Sequence, residues 1–386
     1  MKVAIFTETY LPYINGVVTH IHSLRTGLEM LGHEVMVVTA DPQADEFKLE
    51  NNVLYCPSKE MKKLYGFGLA NPFSPKRTKF LDEFAPDVLH IHQEFGIGLY
   101  GYRYAKFRNI PYVYTMHTMY DDYLYYVVPN FAIPAAKKVA GKYFGLLAKN
   151  AAEVTGPSKK VEQYMRSNGI YRRVHVVPNP VDLDTFDPEK LNREESLEIR
   201  RKLGYADSDF LVSFVGRIGR EKGFDTLINY WKEALSDDKD IKLMIIGEGP
   251  DRPELMQMVK DLNLEDQIRF IGKIDHHELA PTLFSCDMYV TASLSDTNSI
   301  SMLEAMALGM PVAHIKDELN QGQVVEGVNG YIYNNAQEMA EKIKLYRASE
   351  NKDEIKARVR ESVASKGAIT LGRNLEAIYN LALNKK

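Results

Sequence analysis

The feature that most limits what this chain can fold into is an alternation, run twice, of short Val- and Ile-rich segments with longer segments of helical period. That alternation is the mark of parallel sheets covered by helices on both faces. In the first half the strand candidates are residues 2–7 (KVAIFT), 34–40 (EVMVVTA), 87–92 (DVLHIH), 112–117 (YVYTMH) and 153–158 (EVTGPS). Between the first two, Val17, Val18, Ile21, Leu24, Leu28 and Leu31 keep one helical stripe, and Gly32 stops it. Pro178, Pro180 and Pro188 then punctuate a stretch unsuited to regular structure. The pattern restarts at 210–216 (FLVSFVG), 241–247 (IKLMIIG), 268–272 (IRFIG), 288–293 (MYVTAS) and 311–315 (PVAHI). The expectation is an α/β protein of two doubly wound domains, 1–180 and 181–366, with a ligand cleft where their strand ends face each other. Fold alone names no chemistry, because twin α/β domains serve many unrelated functions.

The 386 residues suit two domains of ordinary size. With 45% apolar and 26% charged residues, disordered, collagen-like and coiled-coil chains are excluded. A net charge of −4 gives no whole-chain argument for nucleic acid as a partner. Cys56 and Cys286 are too far apart in sequence to suggest a disulfide framework, redox pair or metal spacing, which fits a reducing cytosol. The first apolar run meets Glu8 too early for a signal peptide, and no window reaches the ~18 apolar residues of a spanning helix. Membrane contact, if any, is expected to be peripheral.

Three stretches carry chemistry. In TETYLPYINGVV, Gly16 stands where a loop enters a helix, a place where unpaired N–H groups attract phosphate and a missing side chain lets it approach; a plain turn glycine is the alternative. In FVGRIGREKGFDTLI, Arg217 follows a strand and Lys222 adjoins Gly223 at a helix start. Two cations and a helix N-terminus suit a diphosphate whose charge grows as its bond to a sugar breaks, the alternative being a solvated loop of charges. In SLSDTNSISMLEAMALGMPV, Asp296 lies in a loop and Glu304 in an apolar helix near its packed face. Ribose hydroxyls would satisfy that carboxylate, and so would an ordinary ion pair. No closely spaced His or Cys set suggests a metal, and none is expected.

Together these stretches resemble the retaining glycosyltransferases of the GT-B fold, family GT4, with two Rossmann-like domains facing a central cleft and a signature of Glu, seven residues, Glu. The resemblance implies that Arg217 and Lys222 bind the diphosphate, Glu304 the ribose, and Gly16 lies in the N-terminal glycine loop. It adds Asn298, Ser299 and Ile300 to the donor site and sends the last segment, 367–386, back to the N-terminal domain as a helix. Asp296 replaces the first Glu of the signature and Ser299 a common glycine, so the hexose read there stays open between glucose, galactose and N-acetylglucosamine. The run His117, Thr118, Met119, Tyr120, Asp121, Asp122, Tyr123 is similar to one in bacterial diacylglycerol glucosyltransferases. It implies that His117 contacts the donor sugar near the reacting carbon and that Asp296 helps orient it, with Tyr120, Asp121 and Asp122 lining the acceptor entrance.

A lipid acceptor calls for cations and amphipathic aromatics on one surface. Residues 59–79 hold Lys59, Lys62, Lys63, Lys76, Arg77 and Lys79 against Glu60 alone, with Leu64, Tyr65, Phe67, Leu69 and Phe73 between, and read as a membrane-docking loop. Residues 131–149 carry Lys137, Lys138, Lys142 and Lys149 beside Phe131, Ile133, Phe144, Leu146 and Leu147, an amphipathic helix whose lysines are otherwise a solvated face. The expected activity is transfer of a hexose, glucose foremost, from UDP-hexose to diacylglycerol or a related glycolipid with α retention, on the inner face of the cell membrane and without a metal. The alternatives are a pre-glycosylated lipid or a polysaccharide or teichoic-acid precursor as acceptor, and a non-catalytic sugar-nucleotide-binding scaffold.

Overall fold

Strand β1 (Lys2–Thr7) is apolar on both faces, and both faces are covered. Val3 and Ile5 enter one buried layer, Ala4 and Phe6 the opposite one. A strand buried on both sides reads as a continuous apolar run, which is why it was plain in the sequence. The computed structural model describes residues 1–13, 15–61, 67–119, 121, 128–319 and 322–385. It divides into two units, Met1–Pro180 with Ala368–Lys386, and Val181–Gly367.

In the first unit β1 leads through α1 (Gly16–Met30) to β2 (Glu34–Asp41), β3 (Lys48–Glu50), β4 (Val53–Met61) and β5 (Phe67–Ala70). There follow α2 (Pro75–Phe84), β6 (Val88–Ile91), α3 (Gly96–Arg108), β7 (Tyr112–Thr115), α4 (Ile133–Asn150), β8 (Glu153–Gly156), α5 (Lys159–Ser167) and β9 (His175–Val176). The sheet order is β3-β4-β2-β1-β6-β7-β8-β9, with β5 also on β4. Its pairs are parallel except β3 and β5 on β4. Helix α1 begins where Asn15 caps it and ends on a Schellman bond from His33 N to Leu28 O, with Gly32 at φ +82°.

The second unit comprises α6 (Arg193–Lys202), β10 (Phe210–Val215), α7 (Phe224–Ala234), β11 (Ile241–Ile246), α8 (Arg252–Asp261), β12 (Ile268–Gly272) and α9 (His276–Phe284). It continues with β13 (Met288–Thr291), α10 (Ile300–Ala307), β14 (Val312–Ile315), β15 (Gly330–Tyr333), α11 (Ala336–Ala348) and α12 (Lys352–Glu361). All its strand pairs are parallel, in the order β12-β11-β10-β13-β14-β15. In both sheets the winding reverses once, between β1 and β6 and between β10 and β13, and the strand ends beside such a reversal are where open α/β sheets bind ligands.

The last helix, α13 (Ala368–Leu383), belongs to the first unit and packs on α1. Leu371, Leu375, Ile378 and Tyr379 join Val18, Ile21, Leu24 and Leu28 over one face of the sheet. The helices touch backbone to backbone: a Cβ on Gly27 would lie 2.0 Å from the Ala368 carbonyl oxygen, and one on Gly372 would lie 2.7 Å from the Gly27 carbonyl carbon.

The basic stretch 59–79 is not the loop expected of it. Its described residues form the end of β4, then β5, the link 71–74 and the first half of α2. Arg77 is 1% exposed and cannot meet a membrane. Its Nε donates to Cys56 Sγ at 3.3 Å and Nη1 to Asn71 O at 3.2 Å, and its guanidinium lies 4.4 Å from the Tyr100 ring centroid. Those contacts replace the water a buried cation loses. Lys76 and Lys79 are exposed, while Lys62, Lys63, Leu64 and Tyr65 lie outside the described residues. Among the described residues no helix is long and apolar enough to cross a membrane.

Candidate active site

In the second unit the cations sit beyond β10. Lys222 ends a 3-10 turn, Arg220–Lys222, and Gly223 starts α7 at φ +67°. A Cβ at Gly223 would lie 2.5 Å from the Ala292 carbonyl oxygen, so only glycine lets this turn seat against the end of β13. Lys222 Nζ donates to Asp296 Oδ1 at 2.5 Å, with the two side chains 16% and 17% exposed. Arg217 Nη2 donates to Glu221 Oε1 at 2.6 Å. The two cations expected to await a diphosphate are thus each steadied by a carboxylate, Glu221 for Arg217 and Asp296 for Lys222. Burial drives the Asp296 carboxyl up, but the Lys222 ammonium and hydrogen bonds from Lys222 and Ser293 hold it below the usual carboxylate range.

Helix α10 carries the rest of the donor set. Ser299 is its N-cap, accepting from Met302 N at 3.4 Å, and Ser301 Oγ donates to Val215 O at 2.9 Å, which ties the helix start to the end of β10. Ile300 opens the helix, Asn298 is buried beside it, and Glu304 is 5% exposed. The neighbour of Glu304 is His276 of α9, with Nε2 at 3.7 Å from Oε1. The hydrogen bond and charge of Glu304 raise the His276 pKa against the effect of burial.

In the first unit the corresponding strand ends are β1 and β6. Gln93 Oε1 gathers Thr7 Oγ1 at 2.8 Å, Glu8 N at 2.7 Å and Thr9 N at 3.0 Å, fixing the loop that follows β1. Glu8 Oε1 accepts from Ile97 N at 2.6 Å and Gly98 N at 3.3 Å at the start of α3. Burial nonetheless raises the Glu8 pKa to about 8. Gly16 opens α1 as expected of a phosphate loop, but Asn15 Oδ1 accepts from both Val17 N and Val18 N at 3.0 Å. Two of the amides that an anion would use are therefore already taken.

Four histidines meet here, although sequence spacing gave no sign of a cluster. His117, beyond β7, bonds through Nε2 to Nδ1 of His92 at 2.8 Å. His20 packs edge-on to His117 with centroids 4.7 Å apart, and its Nδ1 bonds to Asn179 Oδ1 at 2.9 Å. His90 lies 3.9 Å from the His92 ring and bonds to Tyr379 Oη at 2.7 Å and Thr115 Oγ1 at 2.6 Å. His20, His92 and His117 each place a nitrogen within 4.8 Å of the others, a set able to meet a transition metal. Sequence reasoning missed His20, His92, His276, Glu8, Gln93 and Asn179. The available signal was position: His92 and Glu8 stand at strand ends, as His117 does. Asp121 accepts from Tyr164 Oη at 3.0 Å and pairs with Lys137 at 3.2 Å; Tyr120 and Asp122 lie outside the described residues.

Burial lowers the pKa of His20 to about 4 and holds His90, His92 and His117 well below the usual imidazole range. As pH falls below about 6.5 the unfolded chain takes up protons on all four while the folded chain does not, so acid destabilises the fold. Glu8 acts oppositely, because its folded form keeps a proton up to about 8 that the unfolded carboxyl releases near 4.5. His276, raised by Glu304, also loses stabilisation as pH rises. Thermal unfolding scanned from pH 5 to 8.5 is expected to show Tm highest near neutrality, with the steep side in acid; a Tm that climbs from pH 7 to 5 would contradict neutral burial of the cluster.

Residues 14–185 match the family profile Glycosyltransferase Family 4, and residues 195–362 match Glycosyl transferases group 1. The chain is 33% identical to an alpha-monoglucosyldiacylglycerol synthase of Acholeplasma laidlawii over 344 residues, 88% of this chain and 86% of that one. It is 28% identical to the synthase of that name from Streptococcus pneumoniae, over 83% of this chain and 72% of that one. Among solved structures, Anabaena HepE in complex with UDP and glucose superposes with a TM-score of 0.74 at 17% identity, covering 98% of this chain and 99% of that one. With its two doubly wound units and this similarity along nearly its whole length, the chain belongs to glycosyltransferase family 4 and has the GT-B fold.

Proposed function

We propose that this chain is a retaining transferase that moves a hexose, glucose in our reading, from UDP-hexose to the free hydroxyl of diacylglycerol or a closely related glycolipid, at the inner leaflet and with α configuration. The observation that carries the reading is the cationic end of β10, where Arg217 and Lys222 are held by Glu221 and Asp296 with Glu304 nearby in sequence on α10. Arg217 and Lys222 stabilise the diphosphate as the anomeric C–O bond breaks, Glu304 accepts from the ribose hydroxyls, and Asn298, Ser299 and Ile300 complete the donor site. His117 bonds to the sugar and Asp296 orients it through its pairing with Lys222. The acceptor oxygen attacks from the leaving-group face, and its proton passes to a diphosphate oxygen. No metal or other cofactor enters the reaction. The names of the two bacterial relatives favour a diacylglycerol acceptor.

The test is incubation of the full chain with labelled UDP-glucose and either diacylglycerol or a pre-glycosylated diacylglycerol, each in anionic vesicles with EDTA present. A lipid-soluble, α-linked product is expected. Label that appears only on a pre-glycosylated lipid would move the reading to a second-sugar enzyme, and tight UDP binding with no label would move it to a scaffold.

Docking on an anionic membrane is part of the proposal, and α4 is its best support. Lys138, Val139, Lys142, Leu146 and Lys149 form an exposed stripe on that helix, and Phe131 just before it is 88% exposed. Of the cations expected to dock from 59–79, exposed Lys76 stays in the proposal and buried Arg77 leaves it. Each lysine near an anionic surface contributes about 1 kcal/mol, so neutralising Lys138, Lys142 and Lys149 together is expected to weaken vesicle binding about a hundredfold. Sedimentation with anionic vesicles measures this, with UDP affinity unchanged; equal sedimentation of the Gln triple variant would remove α4 from the docking surface.

A further inference from the structure

The bond between His92 Nδ1 and His117 Nε2 contains one proton, and the surroundings decide which ring supplies it. His92 is 1% exposed, stacked with His117 at 19°, and its Nε2 is buried with no hydrogen-bond partner among the described residues. Were His117 the donor, neutral His92 would carry its proton on Nε2, as a buried N–H with no acceptor. Orphaned N–H groups are the rarer and costlier fault in folded proteins; a bare ring lone pair is the lesser one. His20 shows the same arrangement: Asn179 Oδ1 can only accept, so the proton of His20 is on Nδ1, and among the described residues its Nε2 likewise has no partner.

We infer that His92 is a positioning residue that donates from Nδ1 to Nε2 of His117 and thereby holds His117 as the Nδ1–H tautomer, making it a hydrogen-bond donor to an oxygen of the bound sugar and not a base. The hydrogen bond on one ring nitrogen sets which state the other presents. The identity of the oxygen rests on the transferase reading above; the tautomer does not. His92 extends from the end of β6, the strand that borders the winding reversal, and its ring is clamped between those of His90 and His117. His20 packs edge-on against His117.

The experiment has two arms. In the first, the full chain labelled with 15N in its histidine rings is read by two-bond 1H–15N correlation near pH 7, with signals assigned by single substitutions. His92 and His117 are both expected to show protonated Nδ1 and bare Nε2; a protonated Nε2 on His117 would overturn the inference. In the second arm, His92→Asn keeps a short N–H donor near the place of Nδ1, whereas His92→Phe keeps the ring and loses the donor. His92→Asn is expected within about threefold of the wild type, and His92→Phe about 10- to 100-fold lower in kcat/KM, mostly in kcat. Equal losses in the two variants would reduce His92 to packing. A wild-type chain with no transferase activity but the Nδ1–H pattern on both rings would sink the functional reading and leave the tautomer assignment standing.

Discussion

Lys222→Ala is expected to lower transferase turnover about a hundred- to a thousandfold, the scale found when one donor aimed at a developing anion is removed. The ammonium has two duties. It faces the leaving diphosphate in the proposed reaction, and it neutralises Asp296, whose side chain is only 17% exposed. Without Lys222 the burial that raises the Asp296 pKa loses its strongest opposition, leaving the weaker effects of Ser293 and His314 among others, so the carboxyl rises and the turn before α7 loses its anchor to the loop after β13. Adding Asp296→Asn to Lys222→Ala should recover the part of the lost Tm that comes from the unpaired buried carboxylate. Turnover near that of the wild type in Lys222→Ala would contradict the diphosphate assignment, and unchanged Tm would contradict the anchoring role.

The second large effect concerns the fold. Gly27→Val is expected to cost about 3 kcal/mol or more, a large share of a domain's total stability. The new Cβ would lie 2.0 Å from a backbone oxygen of α13, and backbone cannot swing aside as a flexible side chain can. Either α13 shifts or it detaches, uncovering Leu371, Leu375 and Ile378 and drawing Tyr379 from His90. Urea unfolding and limited proteolysis at α13 measure this. An unchanged urea midpoint with α13 still protected would show that the crossing has slack the geometry denies.

What the sequence revealed and what it hid follow from how each feature is encoded. Strands buried on both faces announce themselves as apolar runs, and β1 and β12 were bounded to the residue. Edge strands do not. The edges β3, three exposed residues, and β9, one half-buried residue and one exposed, are too short to hold a run, and β4, inside the sheet, contains Pro57 and ends in charge. Local motifs were legible, as with Lys222 beside Gly223 and Ser299 before α10. Their partners were not, because Lys222 and Asp296 are 74 positions apart and only the sheet brings them together. The histidine cluster was invisible for the same reason: its members come from α1, from the end of β6 and from beyond β7. Arg77 misled in the opposite sense. A run of cations reads as surface, and nothing in the run tells that one of them is enclosed by Phe47, Cys56 and Tyr100.

In the proposed reaction the cationic end of β10 captures a nucleoside diphosphate without help from a metal. Calorimetric titration of UDP into the full chain, with EDTA present throughout, measures it most directly. Saturable binding at one site is expected, unaffected by the chelator and weakened at least about tenfold in Lys222→Ala. Absence of affinity for UDP and for other nucleoside diphosphates, or binding that appears only when a divalent metal is restored, would contradict it.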